Sequence, residues 1–147
     1  MSDEGRLLTW KDVSAFIWAG NATFTLLSRK TGTRYTYRIR RKKDAALYFV
    51  SLLRGPNNED DYAYMGVVDQ AGFRATNKSR ISADAPSHKT FRWFLDAVRK
   101  GERLGGPVGD ALEVWHAGRC GRCRRLLTVP SSVALGIGPE CASRMAA

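Results

Sequence analysis

The spacing of apolar residues predicts a short helix near the start of the chain. Between Thr9 and Gly20 the apolar side chains recur every three or four residues, the repeat of an amphipathic helix. Thr9 can cap the first turn with its hydroxyl, and a glycine commonly follows the last turn. We therefore expect a helix over residues 10–19 whose apolar side chains lie in the core.

After Gly20 the apolar period changes to two, which is typical of strands. The clearest alternation runs over residues 33–40, where Tyr35, Tyr37 and Ile39 alternate with polar positions. Short turns separate the alternating segments, and short connections favour antiparallel neighbours. The pattern predicts an antiparallel sheet of about five strands, at residues 22–28, 33–40, 47–53, 62–68 and 73–76.

A second helical repeat follows the strands. Asp84 is a plausible N-cap, Pro86 suits the first turn, and the apolar residues from Phe91 to Val98 form one face. Gly101 is expected to end this helix, which should cover one face of the sheet in an α+β arrangement. We predict an α+β sheet domain over residues 1–104, a glycine-rich linker over 105–111 and a metal-binding module over 112–147.

The charge of the chain suggests an acidic partner. Lys and Arg number 24 against 14 Asp and Glu, a formal charge of +10. The commonest acidic partner of so basic a protein is nucleic acid, DNA or RNA, although a solvated basic surface is the simpler alternative. The sequence has no apolar run long enough to span a membrane and no signal-peptide pattern, so we expect a cytoplasmic protein.

The three cysteines predict a metal site. Cys120 and Cys123 form a C-x-x-C pair, and Cys141 follows a helix start at Pro139. An odd number of cysteines with this spacing is typical of metal ligands, and a C-x-x-C pair facing a helix is typical of treble-clef or ribbon-like sites holding one structural zinc ion. An iron–sulfur cluster normally needs four cysteines, and a thioredoxin-like site needs a βαβ unit.

The sequence leaves several candidates for the fourth ligand. His116 lies four residues before Cys120 and is the preferred candidate. His88, a carboxylate or a partner molecule are the alternatives, and an ordinary core or surface position is the alternative for either histidine.

The cysteine segment also resembles a known group of sequences. The run from Cys120 to Thr128, the Pro130–Val133 stretch and the Gly136-Ile-Gly-Pro-Glu-Cys141 motif resemble a small cysteine-rich domain of unknown function in bacteriophage, plasmid and actinobacterial proteins. Residues 21–40 are similar to the front of uncharacterised phage proteins that end in the same domain. The resemblance implies a phage or mobile-element origin and no particular activity. Arg124 stands where this pattern leads us to expect a glycine.

Cations cluster in two places that could contact phosphates. Residues 38–43 hold five cations in six positions, and the C-x-x-C pair is surrounded by arginines. Arginine suits phosphate because its planar guanidinium donates two parallel hydrogen bonds. Tyr35 and Tyr37 could stack on bases, or could instead face the core. The candidate nucleic-acid contacts are Arg34, Arg38, Arg40, Arg41, Lys42, Lys43, Arg122, Arg124 and Arg125.

Two other functions compete with nucleic-acid binding. A small phage protein can inhibit a host defence or transcription complex, and the acidic residues 59–61 beside Tyr62 and Tyr64 would suit such a contact. An enzyme is the weakest alternative, because the chain has no triad order, no phosphate-binding glycine loop and no H-E-x-x-H motif.

Overall fold

The structure is a computed structural model that describes residues 5–43, 46–57, 60–109, 111–127 and 130–146. It is α+β, as predicted, with an antiparallel sheet. The strands are β1 (Arg6–Leu7), β2 (Asn21–Ser28), β3 (Arg34–Arg41), β4 (Tyr48–Leu53), β5 (Tyr62–Asp69), β6 (Gly72–Arg74) and β7 (Leu112–His116). The helices are α1 (Trp10–Ile17), α2 (Pro86–Leu104), α3 (Pro130–Leu135) and α4 (Pro139–Ala146).

The described sheet has seven strands rather than five, in the order β1-β7-β2-β3-β4-β5-β6. The five predicted strands form the meander from β2 to β6. The two additional strands are β1, which has only 2 residues, and β7, which pairs with β1 on one side and β2 on the other. A two-residue strand is too short to show alternation, so the sequence pattern could not reveal it.

Strand β7 also changes the relation between the sheet and the cysteine segment. We placed residue 112 at the start of a separate metal-binding module, but Leu112–His116 lie inside the sheet because their backbone pairs on both sides. Cys120, Ile137 and Cys141 belong to the same buried cluster as Phe16 of α1. The cysteine segment and the sheet therefore share one core.

One face of the sheet, here called the inner face, is packed against α1 and α2. The ring of Phe24 in β2 lies 5.5 Å from that of Phe94 in α2, and the ring of Tyr37 in β3 lies 5.1 Å from that of Phe91 in the same helix. Tyr37 is fully buried and its hydroxyl donates to the Ser87 carbonyl at 2.8 Å. Burial raises the pKa of Tyr37, so this ring serves the core as a neutral phenol.

Both ends of α2 differ from the prediction. The N-cap is Ala85, without a side-chain hydrogen bond, rather than Asp84. Gly101 does not end the helix, which continues to Leu104 and is followed by Gly105 with φ 73°. A β-carbon at Gly101 would lie 2.2 Å from the Trp10 side chain, so this glycine lets α2 approach α1 closely.

The opposite face of the sheet, here called the outer face, is polar and more exposed. It is defined by Arg34, Thr36, Arg38 and Arg40 of β3 and by the residues paired beside them. The paired residues include Thr23, Thr25, Phe49, Ser51, Tyr62, Tyr64 and Trp115. Among the described residues, no helix is both long and apolar enough to cross a membrane.

Candidate functional site

The three cysteines converge as the sequence predicted. Their sulfur atoms all lie within 4.8 Å of one another, and this arrangement could hold a metal ion. Cys120 and Cys123 occupy a turn that is closed by a bridge between Arg119 and Leu126, and Cys141 lies in the first turn of α4. Cys120 and Cys141 are buried, whereas Cys123 is exposed.

Two glycines fix this turn against the core. A β-carbon at Gly121 would lie 2.6 Å from the ring of Phe16, and one at Gly136 would lie 2.7 Å from the same ring. Gly121 also donates its N–H to the Gly136 carbonyl and accepts from the Asn21 N–H at the start of β2. The cysteine cluster is therefore held directly against α1 and β2.

The surroundings of Cys120 and Cys141 shift the pKa values of their thiols in opposite directions. Burial alone would raise the pKa of Cys120, but backbone N–H groups of Gly138, Cys123 and Arg122 lower it to about 7. Burial and the two neighbouring sulfurs raise the pKa of Cys141 to about 11. Several thiolates this close repel one another, and a bound cation would offset that repulsion.

His116, the predicted fourth ligand, does not lie in this group. Its Nδ1 accepts from the Gly118 N–H at 2.9 Å, and its Nε2 is hydrogen-bonded to the Val133 carbonyl. Burial lowers the pKa of His116, which favours the neutral ring that these two bonds require. Both ring nitrogens of His116 are thus engaged by backbone groups, and β7 places its ring on the inner face, 5.8 Å from that of Phe16.

The alternatives for the fourth ligand are not close to the sulfurs either. His88 is fully buried on α2, with its ring 4.6 Å from that of Phe73 and without a hydrogen-bond partner in the described part of the chain. Glu140 precedes Cys141 but pairs with Arg125 at 3.3 Å. Within the described ranges, no histidine or carboxylate joins the three cysteines.

The predicted arginine contacts divide according to the sheet register. Arg34, Arg38 and Arg40 lie on the outer face, since they pair with Leu27, Thr23 and Asn21 of β2. Tyr35 and Tyr37 lie on the inner face. Tyr37 is fully buried there, so it faces the core rather than a nucleic acid. Arg41, Lys42 and Lys43 are exposed at the end of β3 and in the segment that follows.

Sequence patterns did not predict that aromatic rings lie beside the arginines of the outer face, and Tyr62 and Tyr64 were named only for a contact with a host protein. Register places Phe49 beside Arg40, Tyr64 beside Ser51, and Trp115 beside Thr25. The Arg38 guanidinium lies 3.9 Å from the ring centroid of Tyr62, and the rings of Phe49 and Tyr64 are 6.3 Å apart. No single strand shows this grouping, because its members come from different strands and only the pairing aligns them.

Arg124 connects the cysteine turn with the outer face. Its Nη1 donates to the Thr23 hydroxyl at 2.7 Å, and its carbonyl accepts from Arg119 Nη1 at 3.1 Å. Among the described residues it is the one non-glycine residue with positive φ, at 69°. That conformation is natural for glycine, the residue that the resemblance leads us to expect at this position.

The other predicted contacts lie elsewhere on the surface. Arg122 and Arg125 are exposed around the turn, and Arg125 pairs with Glu140. In the acidic loop, Asp61 accepts from the Asn57 N–H, while Glu59 lies outside the described residues.

Comparison with known proteins gives one match. Residues 111–146 match the model of a family described as "Family of unknown function (DUF6011)". The match confirms an uncharacterised domain near the C-terminus, and it includes β7 as well as the cysteine turn, α3 and α4. No curated protein and no solved structure matches the chain.

Proposed function

We propose that this protein binds nucleic acid through the outer face of its sheet. The observation that supports the proposal best is the grouping on that face of Arg34, Arg38 and Arg40 with aromatic rings from β4, β5 and β7. Cations neutralise backbone phosphates, and rings stack on bases without regard to sequence. Because stacking needs unpaired bases, the grouping favours single-stranded DNA or RNA over a duplex.

We further propose that the cysteine cluster holds one structural zinc ion in a treble-clef-like arrangement. Thiolates are soft ligands that favour zinc among common divalent ions, and zinc is usually four-coordinate in structural sites. Because no histidine or carboxylate among the described residues joins the three cysteines, the fourth ligand in this proposal comes from a partner molecule. Elemental analysis of the purified protein should give about one zinc per chain.

The biological setting is proposed from the sequence alone. The resemblance to phage and mobile-element proteins suggests that the protein acts in the cytoplasm of a bacterial host, where thiols remain reduced. No catalytic arrangement is proposed. Inhibition of a host protein complex is the second candidate, since exposed rings such as Phe49 also suit a protein partner.

The test compares two variants with the same change in charge. One variant replaces Arg34, Arg38 and Arg40 with serine. Its matched control makes the same replacement at three exposed cations of α2, namely Lys89, Lys100 and Arg103. Binding to fluorescent single-stranded and duplex oligonucleotides is measured over a range of salt concentrations. The outer-face variant should flatten the log–log salt dependence by up to about three units, roughly one per lost phosphate contact, whereas the control should not.

Two results would contradict the proposal. Equal weakening by both variants would mean that only net charge matters. Unchanged binding by the outer-face variant would exclude this face as the interface. If that variant also loses a host protein in a pull-down, inhibition of a host protein complex becomes the favoured function.

A further inference from the structure

A polar cavity lies between the cysteine turn and the outer face. Its volume is about 280 Å³. The residues that line it are Thr23, Thr25, Thr36, Tyr62, Ala117, Arg119 and Arg124. The threonines come from β2 and β3, Tyr62 comes from β5, and the arginines come from the segment on either side of Cys120 and Cys123. The cavity therefore forms only when the cysteine turn lies against the sheet.

The lining is chemically suited to an anion with several acceptor oxygens. Among the described residues, the lining contains two guanidinium groups, three threonine hydroxyls and a phenol, without a carboxylate. The hydroxyls of Thr25 and Thr36 are already aligned by a hydrogen bond of 2.7 Å. Guanidinium groups match the geometry of phosphate oxygens, and threonine hydroxyls commonly donate to them.

The backbone of Arg124 supports the same assignment. A positive φ is unfavourable for a side chain with a β-carbon, and such conformations persist mainly where the surroundings fix them, often at ligand sites. At Arg124 two hydrogen bonds form these surroundings. Its guanidinium donates to Thr23, a residue that is more than nine-tenths buried, and its carbonyl accepts from Arg119. Glycine would relieve the strain at this position but would leave the cavity with one guanidinium fewer.

We propose that this cavity binds a phosphate group, with Arg119 and Arg124 as the cationic donors and the threonine hydroxyls as the neutral ones. The source of the phosphate rests on the proposed function: it is a phosphate of the nucleic-acid strand on the outer face. Free inorganic phosphate presents the same oxygen atoms to these donors, and it therefore serves as the first probe.

The experiment uses the full-length, metal-loaded protein and the variant Arg124→Gly. Glycine adopts the observed φ without strain, so the variant should keep its metal and its urea midpoint. Its affinity for inorganic phosphate, measured by calorimetry or by amide chemical shifts, should fall about tenfold, the loss of one charge-assisted hydrogen bond. The matched control is Arg103→Gln, which removes one exposed charge from α2 outside the cavity and should change the affinity less than about twofold.

A second variant protects the test against misfolding of the first. Thr36→Val keeps the shape of the strand and removes one hydroxyl from the lining, so it should also weaken phosphate binding. If neither Arg124→Gly nor Thr36→Val changes phosphate affinity relative to the control, the cavity is not the site.

Oligonucleotides with a 5′-phosphate or a 5′-hydroxyl distinguish the sources. If Arg124→Gly weakens binding of both oligonucleotides equally, the cavity holds an internal phosphodiester; if it weakens only the phosphorylated one, the cavity holds a strand end. Phosphate binding without oligonucleotide binding would overturn the proposed function and leave the cavity intact. Oligonucleotide binding that depends on Arg34, Arg38 and Arg40 but not on Arg124 would support the proposed function and overturn the cavity as a phosphate site for the strand.

Discussion

The two faces of the sheet use similar residue types for opposite purposes. Along β3, Tyr37 points to α2, is fully buried and donates its hydroxyl to a main-chain carbonyl. Its neighbours Thr36 and Arg38 point to the outer face, where Arg38 stacks on Tyr62. The aromatic content of this basic chain therefore says little by itself, since a ring on the inner face is buried in the core and a ring on the outer face belongs to the binding surface that we propose.

The cysteine segment contacts both faces. Gly121 packs on Phe16 in the core, while Arg124 donates to Thr23 on the outer face. A metal ion at Cys120, Cys123 and Cys141 would therefore stabilise the inner packing and fix the position of outer-face cations together.

Replacing Phe24 with alanine should cause the largest loss. Phe24 is fully buried between Phe16, Tyr37 and Phe94, so the free energy of unfolding should fall by about 3–5 kcal/mol in urea titrations. The matched change on the outer face is Phe49→Ala, at a residue that is 37% exposed. Its cost should be clearly smaller, and equal costs would refute the contrast between the faces.

Removing the metal that we propose for the cysteine cluster should destabilise the whole chain rather than the C-terminal part alone. Binding at one hundred times the dissociation constant adds about 2.7 kcal/mol to a folded state, and chelation removes that contribution. Because Cys120 and Cys141 lie in the common core, tryptophan fluorescence and far-UV circular dichroism should shift together after chelation. A melted cysteine segment beside an unchanged sheet transition would show that the two parts are energetically separate.

Removing the hydroxyl of Tyr37 should have an intermediate effect. Tyr37→Phe leaves the Ser87 carbonyl without this donor, and the expected loss in the free energy of unfolding is about 1 kcal/mol. Nucleic-acid binding should not change, because the ring lies on the inner face. A change in affinity at constant stability would mean that the inner face contributes to binding.

Replacing the exposed arginines should have the smallest effect on stability. Arg34→Ser with Arg40→Ser removes side chains that are exposed on the outer face, so the free energy of unfolding should change by less than about 0.5 kcal/mol. The same urea titration measures it. A loss comparable to that of Phe24→Ala would show that these arginines serve the fold rather than a ligand.

Local patterns in the sequence were enough to predict much of this protein. Helical spacing predicted α1 and the apolar face of α2, alternation predicted β2 to β6, and the C-x-x-C pair with Cys141 predicted a cluster of sulfurs. Each of these features depends on residues that are neighbours in one element or on a motif with a fixed geometry. That is why they could be read without knowing the fold.

Tertiary structure alone decided the remainder. β7 is a short segment whose strand character comes from pairing with β1 and β2. The backbone partners of the His116 ring, Gly118 and Val133, are likewise set by the fold. Gly101 lies inside α2 at a close contact with Trp10, and helix propensities do not account for such a contact between two helices. The outer-face rings and the cavity at Arg124 are formed by residues distant in sequence, and only strand register and the packing of the cysteine turn bring them together.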